Sequence, residues 1–486
     1  MKRRDLLKGM ALGAAATLLP RGGARAQHNP VNPADRKFLI VVTGTGGASM
    51  VDFTTAVRAS ESNDPANLNV YPDGMVQSIE GSPFRAIDQE LRDLGPLPYR
   101  GSVNQSDFVR RHMHDMMVVP ITGTSVNHQV AEKRSLTGNE AWGGRTLQEA
   151  VAAAYGGDMP LANVNMGSGG FVEPGIDTTL PDFARHEAVA DPRLWWLGLD
   201  GAKGVPGAPA KSLVEIARRT RNLKLDPEST FSRTFDASPA LRRWRQQRGV
   251  SLPALERRNL IQALNILPNS ATVPLNEFGL ASAADAQRLR EVFPLYFSDP
   301  LESQAALAYL LIKNGVSNTV TIGPNFSPLV GGQQIVDSPP LAFDFSHTAH
   351  RGAQALMWHR LLTVIDRLIG LLKETEYVSG GSYWDRSMVY VATDFGRSKR
   401  RPPNAREFGT AHDINNGLLV ISPMVNGNTV LGQVDPNTLV HTGYNPTTGA
   451  PEPGRQMSEP ELYAGLLQAL GINTPNLPDM RAMRSS

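Results

Sequence analysis

Acid and imidazole side chains crowd three short segments in the C-terminal third of the chain. Asp344, His347 and His350 fall within seven residues, Asp394 follows the apolar run SMVYVAT, and His412 lies in the stretch GTAHD. Carboxylates and imidazoles gathered at the ends of apolar runs are what a metal site on an α/β sheet requires. Residues three apart on a helix share a face, so either Asp344 with His347 or His347 with His350 can converge on one ion. Asp344 and His350 diverge more if the whole stretch is helical.

Other groups of chemical interest stand beside these. Arg397 opens the basic run RSKRR directly after Asp394, with Arg406 a little further on. A guanidinium overhanging the strand ends would draw in phosphate, sulfate or carboxylate, while a solvated loop is the plainer reading. His112 and His114 are two residues apart, a spacing that an exposed helix face explains better than a metal pair. The early glycines Gly44, Gly46 and Gly47 do not complete a dinucleotide fingerprint, and the segment around Ser125 lacks the GxSxG pattern of a nucleophile elbow.

Elements must position these residues. Short, continuous, β-branched runs at Phe38 to Thr43, Met116 to Ile121, Thr319 to Ile322, Met388 to Thr393 and Leu418 to Ile421 predict strands of a parallel sheet covered on both faces. Helical spacing is read at Phe84 to Leu94, Arg145 to Tyr155, Glu302 to Lys313, Ala349 to Thr375 and Glu459 to Leu470. Alternating strands and helices predict an α/β, doubly wound, mostly parallel sheet with ligands at the carboxyl ends of its strands. The stretch 167–299 is rich in Gly/Pro loops and charged amphipathic segments such as Leu241 to Arg248, which predicts an insertion or cap on a single domain of residues 27–486.

The ends and the composition bound the rest. A basic start with Arg3-Arg4, a short apolar stretch and Ala24-Arg-Ala26 predict a twin-arginine export signal over residues 1–26, and hence a periplasmic or secreted product. Cleavage after Ala26 removes six Lys/Arg and one acid, which takes the formal charge from +2 to −3. That balance argues against general nucleic-acid binding, and no later stretch has transmembrane length. The chain has no cysteine, so thiolate zinc sites and iron-sulfur clusters are excluded. Any ion must be held by His, Asp, Glu or backbone oxygen.

The twin-arginine start, the first strand running into Gly46-Gly47, the segment SVNHQVAEKRSLTG, the Asp/His segment, the run Asp394 to Arg397 and the closing His412-Asp413 resemble the secreted DUF1501 family. That family is a branch of the alkaline phosphatase/sulfatase superfamily, and the resemblance spans nearly the whole chain after the signal, its middle third by length alone. It implies a doubly wound sheet with two metal ions beside a nucleophile. Carried over, Asp344 with His347 (or His350) and His412 match the ligands of the first metal, and Asp394 matches an acid of the second. The usual histidine after that acid is Phe395 here, and no Asp ends the first strand, Asp52 being the nearest and several residues late. The family's nucleophile stands nine residues before the Thr of a Thr-Gly pair, which from Thr137-Gly138 is His128, with Ser125 three residues earlier.

The expectation is an exported metal-binding, hydrolase-like protein acting on phosphate or sulfate esters. One divalent ion (Zn, Mn, Mg or Ca) is held by Asp344, His347 and His412, with His350 as the alternative ligand. His128, Asp394 or Ser125 serve in catalysis and Arg397 clamps an anionic small molecule or polysaccharide ester. The rival expectation is a descendant without catalysis that keeps the fold to bind a surface polysaccharide or an exported protein.

Overall fold

The computed structural model describes residues 31–87, 101–137, 144–167, 174–198, 209–246, 248–249, 260–324, 329–330, 333–334 and 342–485. The export signal expected at residues 1–26 lies outside them. Eight strands form the central sheet: β1 Phe38–Thr43, β2 Met116–Thr122, β3 Asn163–Asn165, β4 His186–Ala188, β5 Thr319–Ile322, β6 Ser387–Ala392, β7 Asn415–Ile421 and β8 Thr429–Val430. Their spatial order is β8-β2-β7-β6-β1-β5-β3-β4. All run parallel except β7, which is antiparallel to both of its neighbours. That one reversal departs from the parallel reading of Leu418 to Ile421, because an apolar run buried on both faces looks the same in either direction.

The helices around the sheet and its carboxyl edge include α1 His128–Thr137, α2 Leu147–Tyr155, α3 Pro300–Lys313, α4 His350–Glu374 and α5 Glu459–Ala469. Alternation along β1 divides the packing. Phe38, Ile40 and Val42 join α3 and α4 on one face of the sheet, and Leu39 and Val41 join α2 and α5 on the other. The chain is therefore an α/β fold with helices on both sides of a mostly parallel sheet. Helix starts follow local chemistry: Thr146 and Glu149 form a capping box for α2, and Asp299 caps α3 ahead of Pro300.

Two expectations about elements change. The helix read from Phe84 to Leu94 is replaced at its start by a strand, Arg85–Ile87, paired with Val76–Ser78, and residues 88–94 lie outside the described set. Arg85 turns outward to ion-pair with Glu61 at 2.6 Å, while Ala86 and Ile87 are both buried. Within 167–299, β4 belongs to the main sheet, and Leu260, Ile261, Leu264 and Phe293 join the main core. The helices of 211–246 remain as the amphipathic part of that stretch.

The carboxyl end of β1 runs into Gly46 and Gly47, both at positive φ (93° and 87°). A Cβ on Gly46 would sit 2.1 Å from the backbone nitrogen of Asp344, so only glycine lets the two segments approach. Gly46→Ala should destabilise the protein by about 2–4 kcal/mol, from left-handed strain plus displaced backbone. Urea denaturation of the two proteins checks this, and an unchanged midpoint would refute the close-approach argument.

Candidate metal centre

Three separate segments meet at the edge of the sheet formed by the carboxyl ends of β1, β2 and β6. Since β7 runs the opposite way, its amino end reaches the same edge and brings His412 with it. His412 and Asp413 pair with Arg397 and Gly396 in a two-residue ladder that folds back over this edge. From β2, the loop 123–127 leads to His128 as the first residue of α1. Asp344 and His347 lie in a 3₁₀ turn, Phe343–His347, just before α4.

That turn separates the three candidate residues of the segment. A 3₁₀ helix has three residues per turn, so Asp344 and His347 project together. Thr348 and Ala349 break the turn, and His350 starts α4 facing elsewhere. One ligand atom from each of His128, Asp344, His347 and His412 lies within 4.8 Å of the other three. Asp344 Oδ1 is 3.3 Å from His128 Nε2, 3.4 Å from His347 Nε2 and 3.9 Å from His412 Nε2. His347 Nε2 and His412 Nε2 are 2.8 Å apart. Ligands at ~2.0–2.1 Å around a tetrahedral ion stand about 3.3 Å apart, so small shifts convert this cluster into a coordination shell.

The ring orientations suit the same role. His412 Nδ1 lies 2.8 Å from the carbonyl oxygen of Val126, which places its proton there and turns the Nε2 lone pair toward the cluster. The ring stacks on Phe395 with centroids 3.8 Å apart. His128 sits between two carboxylates, with Nδ1 2.7 Å from Asp394 Oδ2 and Nε2 toward Asp344. A carboxylate placed as Asp394 is, behind His128, fixes the ring and raises its basicity, as carboxylates do behind metal-binding histidines. Asp394 Oδ1 accepts from the N–H groups of Gly46 at 3.0 Å, Gly47 at 2.9 Å and Phe395 at 3.2 Å.

Proton affinities split the three imidazoles. Partial burial opposes charge on His128, but hydrogen bonds to Asp344 and Asp394 outweigh it and push its pKa up to about 9. His347 and His412 go the other way, lowered by burial and by the nearby Arg397. Burial would raise Asp344, yet His128 and Arg397 hold it well below the usual carboxylate range. Without an ion the cluster is thus one imidazolium and two neutral rings around a carboxylate.

Several expected roles move. His350 is buried away from the cluster, its Nε2 3.1 Å from Asp52 Oδ2 and its Nδ1 2.9 Å from Thr410 Oγ1. Asp52 is not a strand-end ligand: Tyr71 donates to it at 2.5 Å and Asn69 at 3.0 Å, and its pKa is strongly lowered by its partners against burial. Asp394 has a fully buried side chain behind His128, so it does not reach a substrate as a base. Arg397, placed as an anion clamp, is also fully buried and donates to the carbonyls of Gly46 and Thr410 and, at 2.8 Å, to Asp344 Oδ1. Ser125 is half-buried in the loop ahead of α1 and accepts from the N–H of Asn127 at 3.1 Å. The clasp around Asp394 and the Thr410 link were missed in the sequence; the paired glycines after β1 were the signal available.

No family profile matches the chain, and no curated protein matches it. Among solved structures, one similar chain is described as Ps i-CgsB in complex with k-i-k-neocarrahexaose, at 8% identity and a TM-score of 0.29. The likeness covers 92% of this chain and 75% of that one, and at such a score it carries no argument about function.

Three outcomes follow from the geometry. Asp394→Asn keeps the shape but weakens the hold on His128, and should cost about 10- to 100-fold in divalent-metal affinity, read by competition with a chelating dye. Because the folded pKa of His128 lies above its unfolded value, its stabilisation of the metal-free protein is full below about pH 6.5 and is lost as pH rises through 9. Metal uptake below that range should release about one proton, read by calorimetry in buffers of different ionisation enthalpy. Uptake without proton release, or a His128→Ala protein with the same pH-stability profile, would refute the assignment.

Proposed function

We propose that the chain is a metal-binding hydrolase of the alkaline phosphatase/sulfatase type, with one divalent ion held by His128, Asp344, His347 and His412. The observation that carries this reading is the convergence of those four side chains, from three distant segments, at the strand-end edge of the sheet. Three imidazoles and one carboxylate suit zinc or manganese better than magnesium or calcium, which take mainly oxygen ligands. When bound, such an ion supplies Lewis acidity toward an ester oxygen and toward water.

The chain's own residues do the rest. Asp394 keeps the Nδ1 proton of His128 in place so that Nε2 is directed at the ion site. Arg397 aligns Asp344 and offsets its charge. His128 opens α1, so the positive end of that helix dipole faces the cluster and favours an anionic group such as a phosphate or sulfate ester. The substrate class is an anionic small-molecule or polysaccharide ester, and the sequence expectation of twin-arginine export to the periplasm or beyond accompanies this reading.

A second reading has its own observation. The nucleophile position of the resembled family is a histidine within the ion cluster, and Asp394 and Arg397 are both committed to structural contacts. Those substitutions favour a protein that keeps the ion and binds a surface polysaccharide or an exported partner without turnover.

Elemental analysis of natively produced protein, wild type beside His412→Ala, separates these readings when coupled to aryl phosphate and aryl sulfate turnover. The expected result is about one ion per chain in the wild type, lost in the variant together with turnover. Metal-free wild type recovered without chelator sinks the metal centre. Stoichiometric metal with no turnover on a broad ester panel moves the assignment to the binding reading.

A further inference from the structure

Away from the metal centre, charge and apolar exposure concentrate in one segment. Residues 209–249 hold ten Lys/Arg against four Asp/Glu, a net +6 in a chain whose total is +2, so all other residues together carry −4. The segment folds as Lys211–Thr220, continued by a π-helical turn Arg221–Leu225, and then Thr230–Thr234 and Pro239–Gln246. Large apolar side chains here face solvent. Leu223, Leu225 and Phe231 are each about 60% exposed, at 59%, 61% and 61%.

Spacing organises this surface. Leu213, Ile216 and Leu223 recur at intervals of three and seven residues, which sets them along one side of the helical run. Phe231 and Phe235 follow one turn apart with ring centroids at 5.0 Å, both exposed. Trp244 is half exposed under the guanidinium of Arg248, 4.0 Å from the ring centroid. Some of the positive charge is balanced locally, since Arg245 pairs with Asp236 at 2.9 Å and Arg248 pairs with Asp226. The acids are too few to balance the rest.

We propose that residues 209–249 form a docking surface for an anionic lipid bilayer, lying in the headgroup plane with Leu, Ile, Phe and Trp side chains inserted. Helices that combine an apolar side, Trp and Phe, and excess Lys/Arg bind in this way, by apolar burial plus attraction to anionic headgroups. Charge complementarity selects this occupant over a neutral partner. Exposed Leu and Ile select it over an anionic polysaccharide, whose sugar faces stack on aromatic rings but gain little from branched aliphatic chains. No helix of the described residues is long and apolar enough to cross a membrane.

The test uses the full chain and extruded vesicles of phosphatidylglycerol with phosphatidylcholine, beside vesicles of phosphatidylcholine alone, read by co-sedimentation. The chain should sediment with the anionic vesicles, weakly or not at all with the neutral ones, and less as salt is added. Each Arg→Ala change at the exposed Arg219 or Arg242 should lower vesicle affinity about fivefold. The Phe231→Ser, Phe235→Ser double variant should lose binding while its thermal melt, set by the distant core, stays unchanged. Equal binding to both vesicle types, or variants that bind as the wild type does, would overturn the proposal. So would absence of lipid binding with a concentration-dependent dimer, lost in the double variant, in light scattering; the apolar side would then belong to a second copy of the chain.

Discussion

One buried carboxylate holds the site together. Asp394 lies two residues past the end of β6 with its side chain out of water, and a charge in that position is tolerable only if every lone pair is met. Backbone N–H groups of the Gly46-Gly47 turn meet one oxygen and His128 meets the other. Those contacts bridge 266 to 348 residues of sequence, so the same interaction that satisfies Asp394 also fixes where β1 ends and where α1 begins. Around it, Arg397 repeats the logic with opposite sign, tying Gly46 and Thr410 to Asp344.

This arrangement makes chemically identical rings unequal. His128 lies between two carboxylates and holds its proton, while burial and then Arg397 make His347 and His412 give theirs up more readily. An ion and a proton then compete for a single nitrogen, His128 Nε2. The second acid-imidazole pair, Asp52 with His350, is buried apart from the cluster and is linked toward it through the Thr410 hydroxyl. Its partners Tyr71 and Asn69 come from the segment after β1, so the pair couples the start of α4 to that segment rather than to an ion.

Much of the architecture was legible because burial on both faces writes continuous apolar runs. Five strands and four of the long helices were placed within three residues of their observed ends, and their alternation implied the sheet. Strands β3, β4 and β8 were not legible: they span two or three residues, and Asn163-Val-Asn165 has no apolar run to read. The direction of β7 was hidden as well, since hydrophobic pattern is blind to strand polarity.

For the site, the chain determined which side chains were available: no thiols, few histidines, and acids beside them at strand ends. It also determined that Asp344 and His347 would travel together, because three-residue spacing brings side chains to one side in either helical geometry. What it left open was the role of each group, since an Asp at a strand end reads the same whether it faces an ion or hides behind a histidine. Tertiary structure decided that Asp394 and Arg397 are buried supports, that His350 belongs to Asp52, and that His128 completes the cluster. The reason is that such roles depend on burial and on which lone pairs are already taken, and both are set by segments hundreds of residues apart.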